Sequence, residues 1–140
     1  MLARFPMLTR LAVIGLLIAS LAACGGSSAV AGTWTLSNVV GGQFSVPTQG
    51  RIDLTLTSDG KVSGQGACNS YSGSYTVTGQ SIVFGKLVST QMACAAPLMA
   101  IDTAYFAALQ AMTGWQVSGS NLTLTGPAGN LSLVYTNNQG

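Results

Sequence analysis

Lys61-Val62-Ser63-Gly64-Gln65-Gly66-Ala67-Cys68-Asn69-Ser70-Tyr71-Ser72-Gly73-Ser74-Tyr75, with Ser89-Thr90-Gln91-Met92-Ala93-Cys94 further on, is the stretch around which the chain is organised. Val62, Gly64 and Gly66 fall on one face of a strand running from Lys61 to Ala67. Paired glycines in a strand mark a bend or the close approach of something bulky. Cys68-Asn69-Ser70 turns the chain, and Gly73 to Thr78 runs back. Two cysteines therefore bracket a hairpin, placed to join across it.

Upstream, Arg51 to Thr57 alternates strictly: Ile52, Leu54 and Leu56 point one way, and Arg51, Asp53, Thr55 and Thr57 the other. Such alternation marks a sheet with one wet face. Asp59-Gly60 is the hairpin signal that joins this strand to the next. Before it, Gly32 to Val39 reads as a strand with Trp34, Leu36 and Asn38 on one face. Downstream come a turn at Gly79-Gln80, a strand at Ser81 to Phe84, and a short strand within Leu87 to Met92. Then the period changes. Leu98, Ile101, Tyr105, Leu109 and Met112 recur at spacings of three and four, which predicts a helix between Ala96 and Thr113. Pro97 suits its first turn and Gly114 the residue past its end. Three strand-like pieces close the chain: Trp115 to Val117, Asn121 to Thr125 and Asn130 to Tyr135. About eight short strands with one helix inserted before the last three predict a mainly β fold. That fold is a small antiparallel β-barrel or a strongly curled sheet.

The chain has five cations, three aspartates, no histidine and no glutamate. Without Arg4 and Arg10, which lie in the leader, three cations face three anions and the net charge falls from +2 to zero. A neutral domain lacks the basic face that nucleic acid requires. The commonest general acid–base side chain and the commonest metal ligand are both missing. No Ser-His-Asp set can be assembled, and neither a metal site nor a cofactor is expected.

Arg4 and Arg10 flank an apolar run from Leu11 to Leu21, too short for a membrane span of about 20 residues. It fits the h-region of a secretory signal. Leu21-Ala22-Ala23-Cys24, followed by Gly25-Gly26, resembles the lipobox of bacterial lipoproteins. The resemblance implies cleavage before Cys24, a diacylglycerol thioether on its sulfur and an acylated new N-terminus. Two or more acyl chains anchor stably where one does not. Gly25, where an aspartate would suggest inner-membrane retention, favours delivery to the outer membrane, facing the periplasm. The alternative is an ordinary secretory signal cut near Ala23, with Cys24 a spare thiol. The organisation expected is a signal peptide over 1–23, a lipidated N-terminus and flexible tether over 24–31, a domain over 32–135 and a polar tail over 136–140.

The domain resembles the META domain, the HslJ-like family of bacterial envelope proteins. The resemblance is carried by Gly32-Thr33-Trp34-x-Leu36, by Gly60-x-Val62-x-Gly64 leading into Cys68-Asn69-x-Tyr71-x-Gly73-x-Tyr75, and by Leu87-x-Ser89-Thr90-x-Met92-x-Cys94. Phe106-x-x-Leu109 and Gly119-x-x-Leu122-x-Leu124 complete it. Ala67, Gln91 and Asp102 depart from the glycine, arginine and glutamate frequent in the family at those positions. The resemblance implies a β-rich barrel and a role in the envelope or in stress tolerance. It implies no established enzymatic activity, cofactor or catalytic residue.

In an oxidising envelope compartment Cys68 and Cys94 are expected to pair, a link worth roughly 3–4 kcal/mol in the chain-entropy model. The alternative, a redox pair, lacks the Cys-x-x-Cys spacing or neighbouring cation that depresses a thiol pKa. Asn69, Tyr71 and Thr90 form a candidate polar cluster beside the bridge. Its alternative role is to satisfy turn backbone groups. Ser58-Asp59-Gly60-Lys61 matches a Ser-x-x-Lys pattern only as a hairpin turn. Three function classes remain. The first is a non-catalytic, lipid-anchored envelope protein serving integrity or stress tolerance, held to the membrane through Cys24 and meeting an envelope protein partner. The others are a periplasmic inhibitor of a lysozyme or protease, and a carrier of a small apolar ligand.

Overall fold

A computed structural model describes residues 26–137. The signal peptide, Cys24 and the last three residues lie outside that range. Nine strands and one long helix are formed among the described residues: β1 (Gly32–Val40), β2 (Asp53–Leu56), β3 (Lys61–Gln65), β4 (Ser70–Thr78), β5 (Ser81–Phe84), β6 (Val88–Ser89), α1 (Ala96–Ala111), β7 (Gly114–Ser118), β8 (Asn121–Thr125) and β9 (Ser132–Asn137).

Every pairing is antiparallel. The order β3-β2-β1-β9-β8-β7-β5-β4 closes on itself through the β3–β4 pairing, so eight strands make a barrel, and β6 continues the line of β5 along the same edge of β4. Closure leaves few free edges, as a surface poor in charge requires. The seam is narrowest between β5 and β7, where Ser81 faces Gly114 and the bonds Ile82 N–H to Thr113 O and Trp115 N–H to Gln80 O extend it.

The alternation in the sequence becomes the wall of the core. Ile52, Leu54, Leu56 and Val62 are buried on one side, and Leu122, Leu124, Leu133 and Tyr135 on the other. The helix fills the space between them with Tyr105, Ala108, Leu109 and Met112. Its inward line is Asp102-Tyr105-Leu109-Met112. Leu98 and Ile101, expected on that line, are only half-buried. The helix ends at Ala111, Met112 is already extended, and Gly114 opens β7 rather than capping the helix.

Two boundaries and one strand face differ from expectation. Residues 27–29 form a turn of 3₁₀ helix and Val30 is wholly buried, accepting the Trp34 indole N–H at 3.0 Å. Half of the expected tether is therefore part of the domain. Thr136 and Asn137, expected in a polar tail, complete β9 opposite Trp34 and Thr35. In β1 a bulge between Leu36 and Asn38 shifts the register, so Asn38 is exposed and Val39 turns toward the core. One inserted residue reverses the faces of everything beyond it.

Candidate functional site

The β3–β4 hairpin positions the site. Cys68 and Cys94 form a disulfide with their Cα atoms 6.2 Å apart. It ties the β3–β4 loop to the segment entering α1. Gly66 N–H donates to Asn69 O at 2.8 Å, closing that loop into a tight turn. The turn aims two successive backbone N–H groups at one helical side chain. Cys68 N–H donates to Asp102 Oδ1 at 3.1 Å and Asn69 N–H to Oδ2 at 2.7 Å. Asn69 Nδ2 adds a third bond to Oδ2 at 3.2 Å.

Asp102 is only 3 % exposed, and its partners are N–H donors rather than a cation. A buried carboxylate is tolerable only when hydrogen bonds replace its water. Gly66 makes the approach feasible: a Cβ there would collide with Asp102 Oδ1. Gly64 serves the same end one register step away, where a Cβ would strike the Asp53 carbonyl oxygen. The close approach read from the paired glycines is thus real, and both intruders are named.

The candidate cluster divides. Asn69 and Thr90 meet: the Asn69 Oδ1 accepts Thr90 Oγ1–H at 2.9 Å and Met92 N–H at 2.7 Å. These donors fix the orientation of the amide, whose other end faces Asp102. Asn69 thereby binds the chain after β6 to α1. Tyr71 takes no part in this. Its hydroxyl points into the barrel, donating to Asp53 O at 2.7 Å and meeting Tyr105 Oη at 2.9 Å. Tyr105 Oη in turn lies 3.1 Å from Tyr135 Oη.

Each phenol has one proton, so the direction of this ladder is set. Tyr71 spends its proton on the Asp53 carbonyl, Tyr105 must donate to Tyr71, and Tyr135 to Tyr105. Burial pushes all three phenols above the usual tyrosine range. Asp102 and the tyrosine ladder are the parts that residue spacing did not reveal. A weak signal existed for Asp102. It is the one carboxylate in the helix and sits three residues before Tyr105, on the apolar face.

Outside this network lies a groove. A depression of about 280 Å³ is bounded by Thr90, Gln91 and Met92 on one side and by Met99, Thr103 and Phe106 of α1 on the other. A second, of about 320 Å³, continues it across β6 over Val88 and the outer face of β4. Ser89 and Thr90 border both. Val88, Met92 and Met99 are three of the five large apolar side chains that stand exposed among the described residues. Among those residues no three His, Cys, Asp or Glu side chains converge as metal ligands would. No helix among them is long and apolar enough to cross a membrane.

Among the described residues around this junction no nucleophile stands beside a free base. Asp102 has its oxygens engaged by backbone and amide donors, and Asp59 sits in an exposed turn, hydrogen-bonded to Thr57 Oγ1, which holds its carboxyl below the usual range. What remains is a staple, made of disulfide, Asn69 and Asp102, beneath an open groove.

The fold is similar to that of a protein from Burkholderia xenovorans solved by NMR, with 28% identity, 81% of this chain and 87% of that one covered, and a TM-score of 0.67. A crystal structure of a DUF4847 family protein from Bacteroides vulgatus shares the fold at 13% identity, over 79% of this chain and 94% of that one, with a TM-score of 0.59. No protein of curated function matches the chain. The family model for the META domain matches residues 27–139. That match begins at Ser27, where the 3₁₀ turn that leads into the core begins.

Proposed function

The chain belongs to the META domain family, and from that premise we propose that it is a non-catalytic, lipid-anchored protein of the bacterial cell envelope that supports envelope integrity under stress by binding. The observation that carries the proposal is the use made of Asp102. The one carboxylate held at the candidate site receives three hydrogen bonds from the loop it braces. A base poised for proton transfer needs a free lone pair within reach of substrate. Asp102 holds a shape instead.

The anchor rests on Leu21-Ala22-Ala23-Cys24 and gains support from the docking of Ser27. The Tyr75 hydroxyl shares its one proton between Thr57 O at 2.6 Å and, more weakly, Ser27 O at 3.2 Å. Three residue steps from Cys24 to Ser27 span at most about 11 Å, so the lipid would hold the domain against the bilayer. Ser27 docks at the Ser58–Lys61 end of the β2–β3–β4 meander, whereas Cys68 and Asn69 lie at the other end. An anchored domain therefore presents its groove away from the lipid.

The carrier alternative is weakened by packing. Tyr105, Leu109 and Tyr135 are wholly buried inside the barrel and occupy the space a ligand would need. The inhibitor alternative predicts recovery of a stoichiometric envelope enzyme with the chain. Complementation tests the proposal. In a strain lacking the chain, the wild-type form should restore resistance to dye leakage after heat stress. Cys24→Ser should fail to do so and should leave the membrane fraction. A Cys24→Ser chain that stays with the membrane and restores resistance would refute the anchor.

A further inference from the structure

Among the described residues β6 pairs with β4 alone, so the edge it turns away from β4 meets no other strand. Thr90 N–H donates to Ser70 O at 3.0 Å, and Tyr71 faces Ser89 across the ladder. In an antiparallel pair the residues alternate between facing the neighbour and facing outward. Val88 and Thr90 therefore spend their backbone groups on β4, while Ser89 and Gln91 direct theirs away from it. That free edge runs beside α1, from which Met99, Thr103 and Phe106 reach the same groove.

An edge strand beside a helix receives one kind of ligand well. An extended peptide adds a strand through main-chain bonds, and alternate side chains fall between strand and helix. A second copy of the chain fits less well. The edge from Ser89 to Met92 is about 13 Å long, too short to approach the roughly 1,200 Å² that a stable association buries. Charge narrows the choice further. The groove-lining side chains carry no formal charge except Asp102, whose oxygens are already engaged. Met92 and Met99, 60 % and 45 % exposed, are adaptable apolar cover for a side chain between them.

We propose that the groove between β6 and α1 binds a short, extended, uncharged peptide segment of an envelope protein by strand addition to the backbone of Ser89 and Gln91, with an apolar side chain seated between Met92 and Met99. This rests on the binding role proposed above but not on lipidation, which the fractionation of Cys24→Ser reads separately.

The test is selection of phage-displayed random heptapeptides on the purified full chain, with the recovered peptides then synthesised. Sequences with apolar residues at alternate positions and few charges are expected. Their addition should slow amide exchange at Ser89 and Gln91. Gln91→Pro, which removes an outward N–H, should weaken binding by about tenfold, the loss of one or more main-chain bonds. Met99→Lys, on the exposed face of α1, should weaken it comparably with the melting temperature unchanged, which keeps the test open if the proline variant misfolds. Failure to recover any peptide, or peptides whose binding ignores both variants, would overturn the proposal.

Discussion

Asp102, in the second turn of α1, accepts the backbone N–H of Asn69 at 2.7 Å across 33 residues of sequence. The bond joins the helix that fills the barrel to the hairpin that closes it. The Cys68–Cys94 disulfide crosses the same junction. The groove above is built on this double fastening.

Asp102→Asn should be costly although it preserves shape. An amide offers one acceptor oxygen and turns an N–H₂ group toward backbone donors. With charged hydrogen bonds lost and a buried donor left unpaired, a loss of about 3 kcal/mol is expected. Urea denaturation with an unchanged m-value measures it. A loss under about 1 kcal/mol would mean that the carboxylate is not the brace described.

Gly66→Ala should reach a similar outcome from the opposite side. The added methyl meets Asp102 Oδ1 and, at 3.0 Å, Asn69 O. Neither can retreat without breaking a bond of the staple. Overpacking of this kind costs about 1–3 kcal/mol. Gly50→Ala is a less suitable control because of its positive φ, whereas Gly26→Ala meets nothing within 4 Å and should be silent.

The tyrosine ladder predicts an order of effects. Tyr105→Phe removes the middle hydroxyl, leaving the Tyr135 donor unpaired and the Tyr71 oxygen without a proton to accept. Tyr135→Phe removes only the first donor. The middle substitution should therefore cost about 1–3 kcal/mol and exceed the terminal one. Equal losses would show that the direction of the ladder is not fixed.

High pH should unfold the domain cooperatively. Tyr71, Tyr105 and Tyr135 have folded-state pKa values above the ordinary value of 10.0 because burial disfavours the phenolate. Below pH 10 both states hold these protons. Above it the unfolded chain releases them first, so stability falls as pH rises, by up to about 1.4 kcal/mol per pH unit for each phenol. Tyrosinate absorbance and loss of circular dichroism should appear in one step above pH 10. Gradual ionisation with the fold intact would contradict the burial.

Much of this fold was legible in the chain because alternation and burial are local. Ile52, Leu54 and Leu56 announce their face by period alone, and all three are buried. The break from period two to helical spacing located α1 to within a few residues. Asp102 was not legible as a brace, because its partners lie 33 and 34 positions away and nothing local distinguishes a carboxylate that will meet backbone donors. Tyr71 follows Asn69 at an interval of two, which in a straight strand would put both on one face. The turn before β4 sends Asn69 to the rim and Tyr71 into the core. Val30 was hidden by its neighbours, since a lone valine among Gly, Ser and Ala gives no period to read.

The intact mass of the chain extracted from bacterial envelopes tests the central claim most directly. The mass expected is that of residues 24–140 carrying a diacylglyceryl group and an N-terminal acyl chain on Cys24, less two hydrogens for the Cys68–Cys94 bond. A chain that begins elsewhere, or that carries an unmodified thiol at Cys24, would contradict the account.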